Sequence, residues 1–138
     1  MALRLFTVLC FTALVQLLGL QITAEQYPDV EIHITVQDKI SNEHVQGNYK
    51  TLMRPGGILL GAMKRLTECN QDFKYNVTYN NDYGYYLEKV NGVAGNDADH
   101  TYWQILSNSS GKLDPTNVGV GCYIPKAYET IVFNFTKW

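Results

Sequence analysis

The chain has 138 residues, 46% of them hydrophobic and 17% charged, the balance of an ordinary globular protein rather than a disordered, collagenous or coiled-coil one. Eleven Lys and Arg against thirteen Asp and Glu leave a formal net charge of -2. Without a basic excess there is no footprint for a phosphate backbone, which sets nucleic acid aside as a partner, and the length fits one small domain.

Arg4 precedes an apolar run from Leu5 to Leu20, interrupted only by Thr7, Cys10, Thr12, Gln16 and Gly19, and Ile22-Thr23-Ala24 then leads to the first acidic residue, Glu25. This pattern reads as a secretory signal peptide over residues 1–24 with Ala24 the last residue removed. A transmembrane helix is the competing reading, but the run falls short of the roughly 20 residues a bilayer needs and lacks a basic stop-transfer flank. The expectation is a secreted, extracellular domain over residues 25–138, with no membrane partner.

Val30, Ile32, Ile34 and Val36 alternate with Glu31, His33, Thr35 and Gln37, the period of a strand with one buried face. A polar, turn-rich stretch from Asp38 to Gly47 leads to a returning strand, Tyr49 to Arg54, which Pro55-Gly56-Gly57 ends. From Ile58 to Asn70 the period changes: Leu59, Ala62, Met63, Leu66 and Cys69 fall on one face of an amphipathic helix. Strands resume over Phe73–Tyr79 and Tyr83–Val90, with Asn91-Gly92 a strong turn signal. Thr101–Ser107 is the next strand, and Ser107–Asn117 reads as a polar loop. Gly119–Ile124 reads as a short edge strand stopped by Pro125. Thr130–Trp138 closes the chain with Ile131, Phe133 and Phe135 facing one way. A single helix covers one face of a sheet, so the expected fold is α+β: a β-grasp-like antiparallel or mixed sheet of five or six strands with one packed helix.

Without Cys10, which leaves with the signal, Cys69 and Cys122 allow one pairing. In an oxidising compartment that bridge would stabilise the fold by about 4 kcal/mol; two free thiols are the alternative. A Cys69 on the inner face of the last helical turn would point at the sheet, where Cys122 on a late strand would meet it. Asn76, Asn108 and Asn134 each open an N-x-Ser/Thr acceptor site, and Asn76 and Asn134 fall on faces opposite the apolar sets, so glycans there would point to solvent.

No histidine spacing, nucleophile elbow, zinc-protease pattern or phosphate loop occurs, which argues against an enzyme. Tyr83, Tyr85, Tyr86, Tyr102 and Trp103 cluster on two strands. Alternation puts some of them on each face, which fits either cross-strand pairing or a surface for a flat, amphipathic ligand.

The runs GYYLEKVNGVAG (84–95), TYWQILS (101–107), VGVGCYIP (118–125) and ETIVFNFTKW (129–138) resemble, in order and spacing, the C-terminal β domain of the cobalamin carriers, intrinsic factor and transcobalamin. The resemblance implies a domain that closes as a lid over a corrin ring, whose other face rests on a helical domain that this sequence lacks. It implies a corrinoid, cobalamin, as ligand. Ile105 is the foremost apolar contact, with Leu87, Val90 and Tyr86 beside it and Leu113 or Thr116 from the loop before the VGVGCYIP element. Trp103 and Gln104 take structural parts, an anchoring ring and an amide for backbone groups. A separate helical carrier domain or a cell-surface receptor are the implied partners. The rival expectation is an extracellular interaction or structural glycoprotein that kept the fold without the vitamin.

Overall fold

The computed structural model describes residues 27–138; the expected signal peptide and Cys10 lie outside them. Among the described residues eight strands and one helix follow in the order β1 (Val30–Asp38), β2 (Gln46–Met53), α1 (Leu59–Cys69), β3 (Tyr75–Asn80), β4 (Gly84–Val90), β5 (Val93–Ala94), β6 (Thr101–Ser109), β7 (Lys112–Pro115) and β8 (Thr130–Lys137). No helix among the described residues is long and apolar enough to cross a membrane.

The fold class is the expected one, α+β with a mixed sheet and a packed helix, but the strands divide into two sheets. Five form a sheet in the order β2-β1-β8-β6-β7, in which only the β1–β8 pair is parallel. The other three form a second sheet, β3-β4-β5. Alternation along β1 buries Ile32, Ile34 and Val36, which pack with Ile131, Phe133 and Phe135 of β8 and with Leu59, Ala62, Met63 and Leu66 of α1. Phe73, Leu87 and Val90 bring the second sheet onto the same core. Asn91-Gly92 makes the expected two-residue turn: both residues have positive φ, and Val90 faces Val93 across it.

Two further expectations are corrected. Lys112–Pro115, expected within a polar loop, forms β7 by pairing with the end of β6. Gly119–Ile124, expected to be an edge strand, is a turn, and it does the work of a helix cap. Ile58 offers no side-chain cap, so the Leu59 N–H donates to the Tyr123 carbonyl (2.8 Å) and the Leu60 N–H to that of Val120 (2.9 Å). Val120 is fully buried beneath this contact.

That cap also rules out the expected bridge. Cys122 sits beside the N-terminal end of α1 and Cys69 is its last residue. Ten residues at 1.5 Å rise put the two ends about 15 Å apart, against the ~7 Å Cα separation a disulfide allows. Both thiols are free and exposed, and Cys69 lies off the buried face that Leu59, Ala62, Met63 and Leu66 define.

Asp38, read as the start of a polar loop, is fully buried. Its carboxylate accepts the Ser41 hydroxyl and the backbone N–H groups of Ile40 (3.1 Å), Ser41 (2.9 Å) and Val45 (3.3 Å), which fixes the β1–β2 connection. Burial alone would raise this carboxyl, but the four bonds outweigh it and hold it below its ordinary range.

Candidate functional site: a cleft between two sheet edges

The two sheets do not join. Between the start of β4, the first half of β6 and the segment from Pro115 to Cys122 lies a cleft of about 610 Å³. Its walls come from three of the runs noted in the sequence. Leu87 is buried at its base, Ile105 is half-buried, and Tyr83, Tyr85 and Tyr86 stand exposed at its mouth.

Each wall is held by identifiable bonds. The Trp103 indole N–H donates to the Val93 carbonyl (2.8 Å) and its ring packs on Phe135 (centroids 5.0 Å apart), tying the second sheet to the first. This is the anchoring role expected of Trp103. Gln104 differs from expectation: its amide oxygen faces the Asn134 side chain (3.4 Å), not backbone. The third wall is fastened by Glu129, whose carboxylate accepts the Ser107 hydroxyl (2.5 Å), the Tyr123 hydroxyl (2.7 Å) and the Lys126 N–H (3.0 Å). Burial pushes the Tyr123 phenol up, the Ser107 hydroxyl opposing it and the Glu129 carboxylate adding to it. Gly119 lets this wall approach β4 closely, since a Cβ there would stand 2.8 Å from the Tyr85 carbonyl oxygen.

The cleft also holds unpaired strand edge. Thr101 exchanges backbone bonds with Asn96 (3.0 and 3.1 Å), and the Ile105 carbonyl accepts the Thr116 N–H (3.0 Å). Odd-numbered residues of β6 therefore turn their backbone groups away from β8. Between these two ties the Trp103 N–H and C=O and the Ile105 N–H have no strand partner among the described residues, and both residues line the cleft.

Of the residues expected to touch a corrinoid, Ile105, Leu87, Tyr86 and Thr116 come together here. Val90 and Leu113 do not. One extra residue on β4, Glu88, shifts the register between the Asn76–Lys89 and Val77–Leu87 pairs, so Val90 turns into the core behind Leu87 and is fully buried. Pairing of β7 places Leu113 opposite Asn108, outside the cleft and exposed. Tyr102, Val118 and Cys122 line the cleft without having been singled out as contacts. The density of tyrosine over 83–102 was the signal for the first. Partial desolvation of its ring, with Asp97 and Glu88 nearby, pushes the Tyr86 phenol up.

Asn76 is exposed on β3, as a glycan requires. Asn134 lies on the expected outer face but is half-buried, its side-chain Oδ1 accepting from the Gln37 amide (3.0 Å); Asn108 is half-buried on β6.

Residues 58–137 match the family model described as "Domain of unknown function (DUF4430)". The chain belongs to this family. It is 34% identical over 86 residues to cobalamin binding intrinsic factor of Canis lupus familiaris, a match covering 62% of this chain and 19% of that protein. To human transcobalamin-1 it is 22% identical over 111 residues, 80% of this chain and 24% of the relative. The crystal structure of haptocorrin in complex with Cbi superposes on 83% of this chain and 26% of that one, with a TM-score of 0.68 at 19% identity. The domain is therefore one of the cobalamin-carrier family. It spans about a fifth to a quarter of the length of these relatives, whose names are those of binding proteins rather than enzymes.

Proposed function

We propose that this chain is a secreted, non-enzymatic corrinoid-binding protein built on the lid-type β domain of the cobalamin carriers, with the cleft between β4 and β6 as its ligand surface. One observation carries the reading. The family's sequence runs converge on a cleft that offers apolar contact from Leu87 and Ile105 beside three unpaired backbone groups of β6. A corrin is a flat ring with apolar faces and a periphery of carboxamides, and a carboxamide needs both a donor and an acceptor. The Trp103 N–H and C=O supply both on one edge.

Because the cleft is open to solvent on one side, it buries one edge or face of such a disc. Affinity follows the buried surface and the preorganised polar groups, so binding by this domain alone is weaker than by a two-domain carrier. A separate helical carrier domain, covering the other face, would raise it. Titration with aquocobalamin tests the reading: corrin absorption bands shift and tryptophan emission falls as the cleft fills. No change up to millimolar ligand, with and without a helical domain added in trans, refutes it.

The exposed rings at the mouth, Tyr83 and Tyr85, favour a second reading, an extracellular glycoprotein that kept the fold and uses the aromatic rim to bind another protein, such as a cell-surface receptor. Under that reading corrin binding is absent and substitution of Tyr83 and Tyr85 abolishes association with the partner.

A further inference from the structure

We infer that the free edge of β2 pairs with the β2 of a second copy, joining two five-stranded sheets into one. The backbone directions on β1 settle which groups of β2 are free. The Glu31 carbonyl and the His33 N–H bond toward the segment entering β8 (to Tyr128 and Glu129), so the even-numbered residues of β1 serve β2. Ile34 then bonds to Tyr49 and Val36 to Gly47, and the even residues of β2 face outward. The Leu52 carbonyl confirms the direction, since it receives the Arg65 side chain (3.3 Å) rather than β1. The N–H and C=O groups of Gln46, Asn48 and Lys50 have no partner among the described residues.

The outer edges of the two sheets other than β2 carry obstacles, β5 being only two residues long. β7 is four residues long and ends in Pro115; β3 carries the exposed acceptor Asn76. By contrast β2 has eight residues, no proline and no acceptor site, and its single charge, Lys50, has its Nζ 3.9 Å from Glu31 of the neighbouring strand. Such an edge is a template for strand addition.

Register follows from side-chain chemistry. Antiparallel pairing about a two-fold at Asn48 sets Asn48 opposite its own copy and Gln46 opposite Lys50, three opposed pairs with about six backbone bonds. Shifting the axis to Tyr49 would require the Leu52 carbonyl that Arg65 occupies. Shifting it to Lys50 would set two ammonium groups face to face. A strand edge alone buries less than the roughly 1,200 Å² of a standard interface, so the dimer is weak and forms at high concentration.

Sedimentation velocity on the protein from micromolar to near-millimolar concentration, with and without reductant, tests this together with amide hydrogen exchange. The expected result is a reductant-insensitive dimer whose formation slows exchange at Gln46, Asn48 and Lys50. Asn48→Pro removes an outward N–H and leaves the ladder to β1 intact; it weakens association about tenfold or more. Asn48→Lys opposes two charges across the two-fold without touching the backbone, and weakens it also. A protein monomeric throughout overturns the inference. So does a dimer that reductant dissolves, which is a thiol dimer through Cys69 or Cys122, or one that both variants leave unchanged.

Discussion

Replacing Ile105 with Asp separates a ligand contact from a core position, provided it is read beside the same change at Val90. Ile105 is half-buried at the cleft, so the substitution gives up about half of a side-chain burial worth ~3 kcal/mol and leaves the new carboxylate in reach of water. The loss, about 1.5 kcal/mol, is small against the ~5–15 kcal/mol by which a domain is stable, and corresponds to a melting-temperature drop of about 6–12 °C. Val90 is fully buried. There the carboxylate is unpaired and desolvated, and together with the lost burial the change costs about 5 kcal/mol or more, enough to unfold the domain. The assay is thermal unfolding by near-ultraviolet circular dichroism, followed by aquocobalamin titration of the folded variant. The expected outcome is Ile105→Asp folded and silent to ligand, and Val90→Asp unfolded. An unfolded Ile105→Asp shows a core residue, and a folded one that still binds with unchanged affinity shows that the cleft is not the ligand surface.

The remaining predictions concern the frame around the cleft. Glu129→Ala strands the Ser107 and Tyr123 hydroxyls and the Lys126 N–H, and lowers stability by about 2–3 kcal/mol in denaturant titration. Gly119→Ala drives a Cβ to 2.8 Å from the Tyr85 carbonyl oxygen, lifting the third wall from β4. Its cost is about 1–3 kcal/mol, with corrinoid binding lost before folding is. The folded Asp38 carboxyl is held below its ordinary value. Its contribution to stability is therefore full above the unfolded carboxyl range and disappears as pH falls through the folded value. Asp38→Asn is less stable at neutral pH and flattens the acid limb of the stability–pH curve, from the ordinary carboxyl range downward. Native Cys69 and Cys122 both react with a thiol reagent, and a non-reducing peptide map contains no Cys69–Cys122 peptide; finding that peptide would contradict the separation set by α1.

Periodicity carried the elements with strong one-face burial. β1, α1, β6 and β8 lie where alternation or the helical repeat put them, because Ile32, Met63, Trp103 and Phe133 each had a buried face to declare. It failed where pairing rather than burial makes the element. All four residues of β7 are exposed, so nothing in their order marks a strand; only the ladder to β6 does. Residues 119–124 mislead in the opposite sense. Val120 is buried for the sake of a helix cap, and an apolar residue among glycines carries no label saying what it covers.

The same distinction governs the site. Ile105 and Leu87 were recognisable because the family runs that contain them keep their spacing, and both line the cleft. Val90, taken from the same run, lies in the core and not at the cleft: simple alternation would set it on the face opposite Leu87, and one bulge residue, which local pattern does not report, turns it onto the same buried side. The three unpaired backbone groups were illegible in principle, since a peptide group reads alike at every position and becomes an edge only when the sheets stop short of each other. A corrinoid would meet those groups as much as any side chain. Substitutions of Tyr86 or Thr116 should therefore tune affinity, whereas closing the gap between β4 and β6 would abolish it with every lining side chain still in place.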